Sequence, residues 1–259
     1  MFCVTARFSI YMITSKQNQT IKRVASLKQK KSRELYGQYV VEGVKMISDA
    51  ITYGAKIVEI FVTEKLQNAF ENSPVEVTVV SDAVFKCISD EVTPQGALAV
   101  VQIPKSGDIS ALSRCLLLDR VQDPGNVGTI TRLATACGIK HLLLIDSADP
   151  YSPKAVRSSM SGIYHVNVIK LSESECISLL HEQNLPLICA DMGDNNVFDY
   201  KAPNRFCLCV GNEGNGISDN LLTASNTILS IPMEKGIESL NVAVATGVML
   251  YTLINNQRR

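Results

Sequence analysis

The sequence predicts an α/β protein in two parts, a small α/β domain followed by a larger one built on a parallel sheet. Three observations predict it. The second half carries five short, almost uninterrupted apolar runs, CLLLD, HLLLID, LPLICAD, FCLCVG and TILSIP. Such runs form strands covered on both faces, as in parallel sheets. The first half alternates strand-like and helical stretches over a shorter span. Between them PKSGDIS, residues 104–110, combines Pro, Gly and Ser as linkers do.

Composition sets the outer limits. With 259 residues, 46% hydrophobic and 19% charged, the chain can bury a full core and has no need of disorder. Its 25 basic residues balance 25 acidic ones, which excludes a uniformly basic coat but leaves room for a local basic patch. The eight cysteines contain no C-x-x-C pair. Cys207 and Cys209, two apart in a strand-like run, face one way and are expected in the core. Neither a metal site nor a disulfide framework is expected, and a reducing cytoplasm fits. No apolar stretch is long enough to span a bilayer, so no membrane partner is expected.

Residues 1–15 are expected to be disordered, with Met12 a second candidate start. Residues 16–103 form the first domain, 104–112 the linker and 113–259 the second domain. From Lys16 to Arg33 the chain has seven basic residues and no acidic one. Such a run is either a solvated helix face or a phosphate-contacting patch, because Lys and Arg beside a polyanion release counterions. The strand-like YVVE then feeds the helical GVKMISDAI, and KIVEIFVT, VEVTVV and GALAVVQI read as strands. At the far end SLNVAVATGVMLYTLINN has no Pro and is apolar on most sides, as a buried or interfacial C-terminal helix would be.

Three loops follow predicted parallel strands, where ligands bind in open α/β sheets. In LLLDRVQDPGNVGTITRLATACG, Asp123, Pro124 and Gly125 make a turn and Asn126 is a candidate N-cap. Arg132 comes early in the helix, where the dipole disfavours a cation. In CVGNEGNGIS, Gly211, Gly214 and Gly216 permit close approach of backbone to ligand, with Glu213 among them. This is neither G-x-G-x-x-G nor a P-loop. In SIPMEKGIESLNVAVA, Ser239 and Asn241 open the last helix, and capping would account for Ser239 but not for all the polar residues. Taken singly, each loop is also explained by ordinary turns and caps.

Together and in this order, DPGNVGTITR, GNEGNGIS and IPMEKGIESLNVAVA resemble the three motifs of the SpoU (TrmH-like) family of SPOUT RNA 2′-O-ribose methyltransferases, across residues 113–255. The K-x-K-K-S-R…Y-V-V-E-G-V-K run is similar to the L30e-like substrate-binding domain that precedes the catalytic domain in many members. The resemblance implies a C-terminal segment threaded into a trefoil knot, S-adenosylmethionine as cofactor, and a homodimer formed through the knotted domain. It places Asn126, Arg132, Glu213, Ser239 and Asn241 in the active site, and Gly211, Ile231, Met233 and Leu240 around the cofactor. It gives Lys28, Lys30, Lys31 and Arg33 to RNA, ribosomal before transfer RNA. Arg132 holds the activating role there. Since guanidinium normally stays charged, it is either deprotonated by its setting or acts charged, stabilising the alkoxide while another group takes the proton. SPKAVRSSMSGIYHVNV departs from the pattern at Ser161-Gly162 and Asn167, which bears on substrate fit.

Two rivals remain in view. A knotted methyltransferase acting on a base would carry different residues at the first loop, and the Asn126…Arg132 pair favours ribose. A non-catalytic RNA-binding assembly factor would be expected to have lost at least one of the five polar site residues, and all five are present.

Overall fold

The computed structural model describes residues 12–256, apart from residues 74, 106, 108, 111, 194, 237 and 238. Of the segment expected to be disordered, residues 1–11 therefore lie outside the described residues. Residues 12–15 are already structured: Ile13 donates its N–H to the Val79 carbonyl at 2.9 Å and accepts from Ser81 at 3.1 Å.

By contacts the chain forms two units, one running to Pro104 and taking in Tyr151–Tyr164, the other comprising Lys105–Pro150 and the chain from His165. The first unit begins with α1 (Gln19–Ser26), capped by the Asn18 side chain, and α2 (Lys30–Tyr36), closed by Gly37 at φ +61°. Then come β1 (Gln38–Glu42), α3 (Val44–Thr52), β2 (Ile57–Thr63), β3 (Val77–Val80), α4 (Asp82–Ile88) and β4 (Ala97–Gln102). The sheet order is β1-β4-β2-β3, with only the β2/β3 pairing parallel. Its core gathers Ile21, Val24 and Leu27 of the first helical segment with Phe61, Phe85 and Ile88. Each such side chain contributes about 1.5–3 kcal/mol by leaving water.

The second unit opens with β5 (Arg114–Asp119), α5 (Pro124–Ala136) and β6 (His141–Ile145). Next in the chain, α6 (Pro153–Ser159) and the residues around it group with the first unit, a departure from the expected span of 113–259. Polar contacts account for it: Ser161 donates to Asp49 at 2.6 Å and Tyr164 to the Met46 carbonyl at 3.1 Å. Arg157 also pairs with Glu91 at 2.9 Å. The second unit resumes with β7 (Asn167–Lys170), α7 (Glu173–Glu182), β8 (Leu187–Ala190), β9 (Phe206–Val210), α8 (Asp219–Ala224), β10 (Thr227–Leu229) and α9 (Val242–Asn256).

These strands make one parallel sheet in the order β10-β8-β9-β5-β6-β7. The chain moves outward from β5 to β7, then crosses to the other side for β8, so the winding reverses next to β5. In open α/β sheets, ligand sites lie outside the carboxyl ends of the strands at such a reversal. β5 and β9 are buried almost throughout, as their continuous apolar runs require. Cys115, Cys176, Cys189, Cys207 and Cys209 share one core cluster with Leu117, Leu143 and Leu187. The expected linker groups with this unit from Lys105 onward. Leu112 is buried, donates its N–H to Gln183 Oε1 at 2.9 Å and accepts from Arg205 at 3.0 Å.

Candidate functional site

Two caps differ from the sequence reading. Asp123, not Asn126, caps α5: its Oδ1 accepts the Asn126 N–H at 3.0 Å, with Pro124 inside the helix start. Pro has no N–H to satisfy there, so the cap falls one residue before it. At α9 the cap is Asn241, whose Oδ1 accepts from Ala243 at 3.0 Å and Val244 at 3.3 Å, while Ser239 stays exposed.

Relieved of capping, the Asn126 side chain bonds across the sheet. Asn241 Nδ2 donates to Asn126 Oδ1 at 3.1 Å, and Asn126 Nδ2 donates to Glu213 Oε1 at 2.9 Å. Three residues from three separate segments thus form one hydrogen-bonded row, Asn241–Asn126–Glu213. Asn241 is fully used, since its oxygen caps a helix while its amide supports Asn126. Arg132 stays outside the row. It is exposed on α5, and its guanidinium makes no hydrogen bond or ion pair with the described residues.

The row borders a cavity of about 740 Å³, within the usual range for small-ligand pockets. Its wall comes from the segments after β8, β9 and β10 and from α9. Glu213 and Ser239 line it, as do all four residues expected around the cofactor, Gly211, Ile231, Met233 and Leu240. At Gly211 a Cβ would stand 2.4 Å from the Gly216 carbonyl carbon and 2.5 Å from Ile217 N, so two backbones touch where any side chain would intervene. Gly216 itself has φ +66°, a left-handed conformation that suits glycine.

Residues that the sequence reading passed over build this loop. Asn212 exchanges two backbone hydrogen bonds with Gly216, each 3.0 Å. Its Oδ1 accepts from Gly214 at 2.9 Å and Asn215 at 3.0 Å, which lifts Glu213 to the tip. Its Nδ2 donates to the Arg120 carbonyl at 2.8 Å, tying the loop to the end of β5. Beneath it Asp119, fully buried, accepts from Ser218 N at 2.8 Å and from Arg120 at 3.0 Å. Asp119 holds the Arg120 guanidinium more firmly charged than usual, and hydrogen bonds from Ser218 and Asn220 hold the Glu173 carboxyl below its ordinary range. An Asn next to a Gly-rich turn is the local signal for such a side-chain-to-backbone brace.

The cavity fits S-adenosylmethionine. Val210, Val242, Ala245 and Met249 offer an apolar bed for a nucleoside, and the Gly211 cradle brings the backbone within reach. Asp191, Glu213 and Glu234 outnumber Lys235 on its wall, which suits a cationic sulfonium. No group of described His, Cys, Asp or Glu residues is arranged to hold a metal ion.

The four basic residues expected to meet RNA lie in the first unit and divide by environment. Lys30 and Lys31 are exposed on α2. Lys28 is half-buried and donates to the Ser89 carbonyl. Arg33 is 3% exposed, with its guanidinium donating to the carbonyls of Leu27 and Lys28 at 2.8 Å each, and so serves the end of α1.

Residues 113–251 match the SpoU rRNA Methylase family, and residues 18–99 match the MRM3-like substrate binding domain. A 23S rRNA (guanosine(2553)-2′-O)-methyltransferase of Bacillus subtilis is 29% identical over 93% of this chain and 98% of its own. The structure of an RNA methyltransferase of the TrmH family from Porphyromonas gingivalis is similar at a TM-score of 0.83 and 32% identity, covering 94% of this chain and 98% of its own. The SpoU methyltransferase AviRb of Streptomyces viridochromogenes, in complex with the cofactor AdoMet, is similar at a TM-score of 0.85 and 25% identity, covering 93% of this chain and 99% of its own.

Proposed function

The chain belongs to the SpoU rRNA methylase family, and from that premise we propose that it methylates a ribose 2′-hydroxyl of structured RNA, ribosomal RNA before transfer RNA, with S-adenosylmethionine as donor. The observation that carries this reading is the Asn241–Asn126–Glu213 row at the border of the cavity. A hydroxyl is a weak nucleophile and needs fixed orientation and relief of its proton. The row supplies amide and carboxylate groups already locked to one another, and its Glu213 lines the cavity. When bound there, the cofactor supplies a sulfonium methyl group open to attack.

Arg132 serves as a charged group. Exposed on α5, its guanidinium is the kind of group that stabilises a developing alkoxide while phosphate or water takes the proton. The same reading holds the molecule to be a homodimer through the second unit. Val244 and Tyr251 of α9 are 54% and 51% exposed although the helix is otherwise apolar, and Arg132 lies outside the cavity of its own chain. It also includes a trefoil knot, in keeping with the hold of Gly193 and Asn195 on Ser230, whose hydroxyl donates to Gly193 O at 2.7 Å and whose N–H donates to Asn195 O at 2.8 Å. A reducing cytoplasm suits the seven described cysteines, all unpaired.

The test is incubation with labelled S-adenosylmethionine and separate ribosomal and transfer RNA pools, followed by digestion to nucleosides. Label on a 2′-O-methyl nucleoside is expected. Label on a base would move the protein to base methylation, and no label together with no cofactor binding would leave it an RNA-binding factor.

A further inference from the structure

One carboxylate on the cavity wall has no part in the row of polar groups. Asp191 follows β8 directly and is half-buried. Its backbone N–H is fixed to the Leu229 carbonyl at 3.1 Å, which anchors the residue to β10. One side-chain oxygen, Oδ1, accepts the Met192 N–H at 2.6 Å. The other, Oδ2, accepts from no described group and stands 3.5 Å from where a Cβ on Gly216 would sit. So a charged acceptor with an open lone pair is clamped against the neck of the glycine-rich loop, in contact with the cavity.

Its depth selects the partner. The neck is the Asn212–Gly216 rung, whereas Glu213 rides at the tip beside Asn126. The apolar bed of Val210, Val242, Ala245 and Met249 comes from the end of β9 and from α9. In an adenosyl sulfonium the ribose is the link between the base, which wants the apolar bed, and the methyl group, which must reach the tip. A hydroxyl pair needs an acceptor at that intermediate place, and a carboxylate oxygen is a strong one. Resting on the methyl-donor reading above, we infer that Asp191 is a binding residue that accepts hydrogen bonds from the ribose hydroxyls of the cofactor through Oδ2. The other acidic residues of the wall, Glu213 and Glu234, are left to face the cationic end.

Calorimetric titration of the full-length protein with S-adenosylhomocysteine, its 2′-deoxy and 3′-deoxy forms, and 5′-methylthioadenosine tests this without turnover. Removing a hydroxyl is expected to weaken binding by about ten- to a hundredfold, the scale of a hydrogen bond to a charged group. Asp191→Ala should lose a similar factor with the intact nucleoside and then show no further loss with the deoxy form. Asp191→Asn keeps an acceptor for Met192 N–H, and an unchanged melting temperature in that variant separates binding from folding. If Asp191→Ala binds the intact nucleoside as tightly as wild type, or its loss adds in full to that of the deoxy forms, the inference is overturned. A loss that vanishes with 5′-methylthioadenosine, which lacks the amino-acid arm, would overturn it in favour of the ammonium group. Failure of wild type to bind any of these thioethers would instead overturn the methyl-donor reading itself.

Discussion

Arg132 follows Asn126 by six residues on α5, which at 3.6 residues per turn sets the two side chains about 120° apart and about 9 Å along the axis. They cannot both face one cavity from one helix. Removing the guanidinium should therefore leave the cofactor site untouched: Arg132→Ala is expected to lower kcat by about 10²–10⁴, the span of catalytic proton-transfer and charge-stabilising groups. Cofactor affinity by titration should stay within about twofold of wild type, an error-level change. A kcat near wild type would remove Arg132 from the mechanism. Gly211 makes the opposite kind of demand. Because its Cβ would meet backbone at 2.4 Å, Gly211→Ala must displace the loop. It should cost about 1–3 kcal/mol in urea unfolding, as overpacking does, and weaken cofactor binding as well. Unaltered binding in a destabilised variant would mean that the loop does not form the cradle.

At the scale of elements, the basic run and the cysteine-rich strands behave unlike each other. Neutralising Lys28, Lys30 and Lys31 to Gln should lower RNA affinity and flatten its dependence on salt, by a log–log slope of about 0.7–0.9 for each phosphate no longer neutralised. Most of the effect belongs to Lys30 and Lys31, since Lys28 is committed to Ser89. An unchanged slope would make α2 a merely solvated face. In the sheet of the second unit, burial pushes the Cys176 thiol up to about 12, and those of Cys207 and Cys209 upward too. A raised folded pKa means stability that is complete below the unfolded value near 9.0 and lost as pH climbs toward 12. The Cys176 thiol should then cost about 1.4 kcal/mol per pH unit above 9, read from urea midpoints at neutral and alkaline pH. A flat profile would mean that the thiols are hydrated. The strands themselves were legible because burial on both faces demands continuous apolar runs. The cap of α5 is legible only through its proline: Asp123 and Asn126 are both good N-cap residues three apart, and Pro124 at the first helical position decides for Asp123. Asp119 is not legible in the sequence because a buried brace carries no periodicity, whereas Asn212 has a local signal in its place beside a Gly-rich turn. The attachment of 151–164 to the first unit rests on single contacts such as Ser161 with Asp49, to which sequence patterns are blind.

For the whole molecule the question is whether one chain holds a complete active site. Asn126, Glu213 and Asn241 are joined at the cavity, while Arg132 faces outward on the same helix and α9 exposes Val244 and Tyr251. A two-fold dimer with these faces in contact would present the Arg132 of one protomer to the cavity of the other. Isologous contact guarantees the reverse pairing as well. Val244→Arg should then give monomers in sedimentation, with binding of cofactor retained and methyl transfer lost. A stronger test mixes two inactive chains, Arg132→Ala and Asn126→Ala, after dissociation and reassociation. If the sites are shared, half of the randomly formed dimers are mixed and each holds one intact site, so about a quarter of wild-type activity returns. If Arg132 serves its own chain, every site in the mixture lacks one group and nothing returns. Recovery in the mixture but not after Val244→Arg is built into both chains would tie the restored activity to this interface. Recovery that survives the substitution would place the shared contact on another surface.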